Sequence, residues 1–265
     1  MNILKKEINQ NIIVILIWMI VISLFIWMFS AATTFFLDEN TPALKIIQNM
    51  PEKLLKTFNI ELDVLSKPEG IFGTEGMTFM FIFFGIFSSI IASKIFAGEF
   101  DNKTIEYLLV KPVSRTKTFL SKIAATILFI TILSFTFLFS EHIFFPLYVK
   151  NFSKLVMNYF FIYIFISSIF FASFSTLLSM IFRKRKLVNT ISISFVFLMF
   201  FLNSVTEGVE NFEFLRKISI FYYFSTIDIL KELTINYSAV AAIIFISTIL
   251  FISSHYIFKN NDISI

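Results

Sequence analysis

The chain has 265 residues, of which 57% are hydrophobic and only 15% are charged, and its mean hydropathy is +0.83. A soluble domain of this length needs more charged side chains to cover its surface, so this composition excludes the soluble globular class. The formal net charge is +4 and cysteine is absent, which excludes disulfides, thiolate zinc sites and cysteine nucleophiles.

The chain begins with a short charged region followed by a long apolar run. Residues 1–11 place Ile3, Leu4 and Ile8 on one helical face. They form either a short interfacial helix or the positively charged flank of the first span. Residues 12–37 carry no charge. Because this run is much longer than the ~7–15 apolar residues of a signal peptide, it is predicted to be a retained span.

Six apolar runs are long enough to cross a bilayer as helices. The predicted spans are residues 12–37, 77–95, 119–139, 157–182, 187–205 and 237–258. The polar segments between them on one side are residues 38–76, 140–156 and 206–236. Glu141, His142 and Pro146 are expected in a short loop after the third span, and the fourth and fifth spans are expected to form a tight hairpin. With no internal repeat, residues 1–265 are predicted to be one all-α transmembrane domain.

The distribution of lysine and arginine predicts the orientation. With the N-terminus inside, the cytoplasmic segments hold 13 Lys and Arg in 51 residues, against 9 in 87 on the other side. Both termini are therefore predicted to be cytoplasmic. The basic run Arg183–Lys186 fits anionic-lipid binding, but a topology signal between two helices explains it more simply.

Chemistry-bearing residues are scarce in the predicted spans. Away from their ends the spans hold almost no ionisable side chains, so the proton relay of an ion-coupled transporter is not expected. His142 and His255 are expected to face headgroups or a neighbouring helix, and Asn158, Asn189 and Asn203 to form interhelical hydrogen bonds. No phosphate-binding loop of the G-x-x-x-x-G-K-[ST] type occurs. No catalytic, cofactor-binding or metal-binding residue is therefore predicted.

The charged segment between the second and third spans has the clearest local pattern. One helical face can hold Phe100, Ile105, Leu108, Leu109 and Pro112, and the last four follow the i, i+3, i+4, i+7 spacing. The pattern predicts a short amphipathic helix. This helix either lies on the inner leaflet or packs against a cytoplasmic partner as a rigid lever.

The residues at the two ends of this predicted helix also indicate how it begins and where it ends. Glu99 and Lys103 have the spacing of an i, i+4 ion pair in the favourable order. Pro112 is predicted to end the helix, and Ser114 to cap the helix that becomes the third span. The sequence therefore predicts a span, a short surface helix, a sharp turn and a second span.

The same segment resembles the signature of ABC-2 type permeases, the membrane subunits of a class of ATP-binding cassette transporters. The resemblance rests on Gly98-Glu99, Thr104, Leu108-Leu109, Pro112-Val113-Ser114-Arg115 and Lys122. Lys103 departs from the pattern, because a glycine is common at that position. Residues 215–230, LRKISIFYYFSTIDIL, are more weakly similar to the aromatic segment before the last span of that family, and Ser219-Ile220 stands where Ser-Pro is usual.

This resemblance implies a subunit of the plasma membrane that works as a homodimer or a paired heterodimer, mostly in export. ATP and Mg²⁺ would bind to two separate cytoplasmic ATPase subunits, and neither an enzymatic activity of this chain nor a nucleic-acid partner is expected. The residues implied as the coupling surface are Glu99, Thr104, Leu108, Leu109, Pro112 and Arg115. In that surface Glu99 and Arg115 are expected to supply polar contacts.

Two rival functions compete with transport. The first is a membrane scaffold or sensor that binds a cytoplasmic partner through the same loop and translocates nothing. The second is a membrane-embedded enzyme, which the sequence favours least because it shows no catalytic constellation. The sequence does not name the substrate.

Overall fold

The structure is a computed structural model that describes residues 3–37, 49–51, 62–105, 113–204 and 213–260. Within these ranges it contains helices and no β-strand, and six helices are long and apolar enough to cross a membrane. In chain order they are α1 (Ile3–Leu37), α2 (Met77–Ile95), α3 (Arg115–Tyr148), α4 (Lys154–Phe182), α5 (Arg185–Ser204) and α6 (Tyr237–Asn260). The predicted all-α membrane protein with six spans is confirmed.

The first helix is continuous from the charged region into the apolar run. Neither proline nor glycine occurs between Ile3 and Leu37, so nothing in the local sequence breaks the helix near residue 11. Its 35 residues are about 52 Å long at 1.5 Å per residue, more than the ~30 Å of a hydrocarbon core. Residues 3–11 therefore extend the first span and do not form a separate helix.

Helix α3 extends well past the predicted end of the third span. The prediction stopped at residue 139 because Glu141, His142 and Pro146 follow, but the helix continues to Tyr148. Pro146 lies two residues before the helix end, where it removes one backbone hydrogen bond only. As a result Glu141 lies inside a helix and is fully buried, and it is not part of a loop.

Helices α2 and α4 form the centre of the bundle, whereas α1, α5 and α6 expose most of their apolar windows. Gly85 permits the close packing of α2, because a Cβ atom there would lie 2.9 Å from Val196 on α5 and 3.2 Å from Phe171 on α4. The exposed apolar faces suit contact with lipid, which is the solvent that a membrane-spanning helix requires.

The starts of α1, α3 and α5 and the ends of α2, α4 and α6 lie at the same end of the bundle, which we call the base. At the base Lys94 of α2 contacts Gln10 of α1, and Arg115 of α3 donates to the carbonyl oxygen of Lys259 at the end of α6. Arg183, in the left-handed conformation with a φ of 54°, makes the tight turn between α4 and α5.

The opposite end of the bundle is covered by several short helices. These are Leu62–Leu65, a π-helix at Phe72–Gly76, Glu213–Arg216, Ile220–Tyr223 and Thr226–Glu232. Turn and loop residues beside these short helices contact α4: Glu69 accepts from the backbone amide of Ser153, the N-cap of α4, and the backbone amide of Asn236 donates to the Tyr163 hydroxyl at 2.9 Å.

Candidate functional site

A buried lysine organises the base of the bundle. Lys122 lies two turns into α3, and only 2% of its surface is exposed. Its Nζ atom donates to Glu7 Oε1 at 2.7 Å, to Glu99 Oε1 at 3.0 Å and to the carbonyl oxygen of Ile95 at 2.8 Å. Three donors of one ammonium group therefore bind three acceptors on three different segments, which satisfies the buried charge.

Glu99 connects this lysine to the loop that follows α2. It lies in the short helix Ala97–Asp101, with 7% of its surface exposed. Its Oε1 atom also accepts from Lys6 Nζ at 3.2 Å, and its Oε2 atom accepts from the Thr104 hydroxyl. The backbone amide of Thr104 donates to the Glu99 carbonyl oxygen at 3.0 Å. Thr104 thus closes the turn onto Glu99 through both backbone and side chain.

Glu7 brings the first helix into the same cluster. Only 3% of its surface is exposed, and the Asn11 side-chain amide donates to its backbone carbonyl at 2.8 Å. Lys6 and Lys122 balance Glu7 and Glu99, so these four charges sum to zero. We call these four residues, with Thr104, the base cluster. It joins α1, the loop after α2 and the start of α3.

Sequence reasoning missed Glu7 and assigned no site role to Lys122. Glu7 follows two lysines near the N-terminus and resembles an ordinary solvated flank. Lys122 offered a usable signal, because a lysine that enters an apolar span needs a partner. Its partners lie 115 and 23 residues away along the chain, so no local pattern identifies them.

The structure brings together only two of the six implied coupling residues among those it describes. Glu99 and Thr104 lie together in the base cluster. Arg115 lies at the first position of α3 and reaches α6 through the Lys259 carbonyl, at 3.2 Å. Leu108, Leu109 and Pro112 lie outside the described residues. Of the predicted apolar face the structure describes Phe100, which is partly buried, and Ile105, which is buried.

The interior position of Glu99 changes its expected role. The sequence assigned it a polar contact with a partner protein, but its carboxylate faces Lys122, Lys6 and Thr104 within the chain. The expected ion pair with Lys103 also loses its helical geometry, because the short helix ends at Asp101. Lys103 has a φ of 56°, the left-handed region that favours glycine.

The segment between α2 and α3 ends at a side-chain cap on α3. Ser114 has an extended backbone, and its hydroxyl accepts from the backbone amide of Lys117 at 3.2 Å. This is the N-cap that the sequence predicted. Both ends of the segment between α2 and α3 are thus held by specific polar contacts, Thr104 at one end and Ser114 at the other.

Several isolated polar residues form contacts between elements. Asn189 of α5 accepts from the Ser93 hydroxyl of α2, which confirms the interhelical hydrogen bond expected there. His255 of α6 lies 3.2 Å from the Thr116 hydroxyl of α3 and packs against a phenylalanine ring. Asn203 accepts from Arg216 at 3.4 Å, next to the short helices of the opposite end.

The opposite end contains a cavity of about 320 Å³ with a mixed lining. Its polar side chains include Glu75, Asn203 and Arg216, and its apolar side chains include Phe81 and Phe221. Arg216 lies over the ring of Tyr222 at 5.3 Å. Among the described residues no group of three His, Asp or Glu side chains lies together in an arrangement suited to a metal ion.

The family comparison covers almost the whole chain. A family model described as ABC-2 family transporter protein matches residues 1–263. No curated protein matches the sequence.

Proposed function

The chain belongs to the ABC-2 family of transporter proteins, and from this membership we propose a permease subunit driven by a separate cytoplasmic ATPase. In this proposal the chain pairs with a second copy or a paralogue, and the pathway for an exported substrate lies between them. The sequence has no phosphate-binding loop of the G-x-x-x-x-G-K-[ST] type, so the nucleotide site belongs to the partner ATPase.

The base cluster is the observation that carries the coupling part of the proposal. The segment between α2 and α3 is the proposed docking surface for the ATPase. Glu99 and Thr104 tie the start of this segment to Lys122 on α3 and, through Lys122, to Glu7 on α1. A displacement of the docked segment is therefore transmitted to two long helices through buried ionic contacts.

Burial makes this connection stiff. Separating a buried ion pair leaves charges without partners, which costs several kcal/mol. The segment, α1 and α3 consequently move together in preference to separating. Closure of an ATPase dimer on ATP would then move helices that carry no nucleotide site of their own. An equilibrium shifts almost completely when the partner favours one conformer by about 5.5 kcal/mol.

In this arrangement Glu99 and Thr104 position the docking segment, and they do not touch the ATPase. The contacts with the ATPase come from Leu108, Leu109, Pro112 and Arg115, as the family resemblance implies. Leu108 and Leu109 supply the apolar face, Pro112 the turn and Arg115 a polar contact. This division follows from the burial of Glu99 on one side and the apolar spacing of the sequence on the other.

The test is a charge placed on the proposed docking face. We expect Leu108→Asp to insert into the membrane normally but to lose the co-purifying ATPase and its ATP hydrolysis, because the carboxylate is costly to bury in an apolar contact. The measurement is the ATP hydrolysis rate of the affinity-purified complex, with the amount of membrane-inserted chain as normalisation.

Lys150→Asp is the matched control. Lys150 is exposed after the end of α3, at the opposite end of the bundle, so the same side chain is introduced far from the docking segment. We expect it to retain the ATPase. If Leu108→Asp retains the hydrolysis rate of the unmodified chain, this segment has no part in ATPase coupling.

A further inference from the structure

A second polar cavity, of about 260 Å³, lies at the base beside the base cluster. It is enclosed by the start of α1, the end of α2, the short helix Ala97–Asp101 and the first residue of α5. All of its lining side chains are polar or charged, except for Gly98. Its lining therefore differs from the mixed lining of the cavity at the opposite end.

This cavity has an excess of positive charge among the described residues. The cations that line or adjoin it are Lys6, Lys94, Arg185 and Lys122, and the anions are Glu7 and Glu99. Four positive and two negative charges leave a net charge of +2. The two carboxylates already bind Lys6 and Lys122, so the excess is located at Lys94 and Arg185.

Two buried polar atoms in the lining residues have no hydrogen-bond partner among the residues that the structure describes. One is Nε of Arg185, a donor, and the other is Oδ1 of Asn11, an acceptor on a side chain that is only 1% exposed. Lys94 donates to the uncharged carbonyl oxygen of Gln10 at 3.4 Å, a contact that does not neutralise its charge. Because buried polar groups are nearly always paired, these atoms point to a ligand that accepts from Arg185 and donates to Asn11.

We propose that this cavity binds the phosphate headgroup of an anionic glycerophospholipid. A phosphodiester supplies the negative charge and the acceptor oxygens that Lys94 and Arg185 lack, and guanidinium groups suit phosphate. A headgroup hydroxyl supplies the donor that Asn11 Oδ1 lacks. The cavity lies at the ends of membrane-spanning helices, where headgroups are located.

The members of the basic run Arg183–Lys186, at the junction of α4 and α5, have different surroundings. Arg185 lines the cavity, whereas Arg183 lies over the ring of Phe100 at 5.6 Å and Lys184 is exposed. The lipid site therefore depends on one member of the run and on Lys94 from another helix. It goes beyond the proposed function, since binding of a headgroup needs neither an ATPase nor a transported substrate.

The experiment measures equilibrium binding of dioctanoyl phosphatidylglycerol to the purified full chain in a neutral detergent. Native mass spectrometry counts the lipids bound per chain. We expect one saturable site per chain. Arg185→Gln and Lys94→Gln should each weaken binding about tenfold or more, because each removes a charged contact with the phosphate. Lys184→Gln, the neighbouring exposed control, should change the affinity less than twofold.

Three comparisons decide the identity of the ligand. Dioctanoyl phosphatidylcholine, which is zwitterionic, should bind much more weakly. Inorganic phosphate should not displace the lipid at millimolar concentration, and equal binding of phosphate would overturn the lipid assignment. Asn11→Ala should remove the preference for phosphatidylglycerol over phosphatidic acid, which has no headgroup hydroxyl. Unchanged binding in both Arg185→Gln and Lys94→Gln would overturn the site itself.

Discussion

Helix α3 contains two buried ionisable side chains, Lys122 near its start and Glu141 near its end, and their surroundings are opposite. Lys122 donates to two carboxylates and one carbonyl oxygen. Glu141 is 0% exposed, and neither of its carboxyl oxygens has a hydrogen-bond partner within the described part of the chain. The two side chains are 19 residues apart (141 − 122), about 28 Å along the helix axis.

The two ends of α3 differ in whether a buried ionisable group connects separate segments. At the base, charge holds three segments in one arrangement, because each member of the cluster leaves another unpaired if it moves. Near the other end of α3, the carboxyl group of Glu141 has no hydrogen bond to any group that the structure describes. Neighbouring Ser140 forms a hydrogen bond of 2.9 Å with Ser23 of α1, so α1 and α3 are connected there by uncharged groups. The substitutions below test this comparison.

The largest effect is expected for Lys122→Met. The substitution keeps the length of the side chain but leaves Glu7 and Glu99 buried without their shared cation, so the free energy of unfolding should fall by about 3–5 kcal/mol. Lys117→Met, at an exposed position on the same helix, should change it by less than about 0.5 kcal/mol. Both values are measured by denaturant unfolding of the purified chain in detergent.

A rescue experiment checks the cause of that loss. Adding Glu7→Gln and Glu99→Gln to Lys122→Met removes the unpaired charges and should recover part of the stability. If the triple variant is as unstable as the sum of its single changes, the cluster is not electrostatically coupled, and the contrast with Glu141 disappears.

A smaller effect is expected for Thr104→Val. Valine has nearly the same shape, but it cannot donate to Glu99, and a hydrogen bond to a charged group contributes about 1.5–3 kcal/mol. The matched control is Thr248→Val, because Thr248 is exposed and its hydroxyl donates to the Ile244 carbonyl oxygen of its own helix, at 2.8 Å. Unfolding in detergent should show a loss in the first variant and almost none in the second. Equal losses would show that the Thr104 hydroxyl contributes no more through Glu99 than an exposed hydroxyl does through a backbone carbonyl.

The smallest effect is expected for Glu141→Gln. The amide has the same size and no charge, so it removes no ionic contact that the structure describes, and the free energy of unfolding should change by less than about 1 kcal/mol. Thermal unfolding of the two proteins side by side measures the difference. A loss comparable to that of Lys122→Met would mean that Glu141 binds an essential partner, such as an ion or a second subunit.

Local sequence was sufficient for the span architecture and for one cap. The six apolar runs predicted six helices, and the Ser114 N-cap followed from its position after Pro112. These features depend on residues within a few turns of one another, since hydrophobic length and capping are local properties. The apolar spacing of residues 105, 108, 109 and 112 also predicts a surface helix, most of which lies outside the described residues.

Only the tertiary structure decided which charges are buried and what they contact. From the sequence, Glu99 is a surface contact, Glu7 belongs to the charged first 11 residues without a site role, and Glu141 lies in a loop, because each has polar neighbours along the chain. The fold buries all three, and Lys122 is bound by residues from two other segments. Helical periodicity tells which residues share a face, but packing determines which distant face lies opposite, and a buried charge is stabilised by that opposite face.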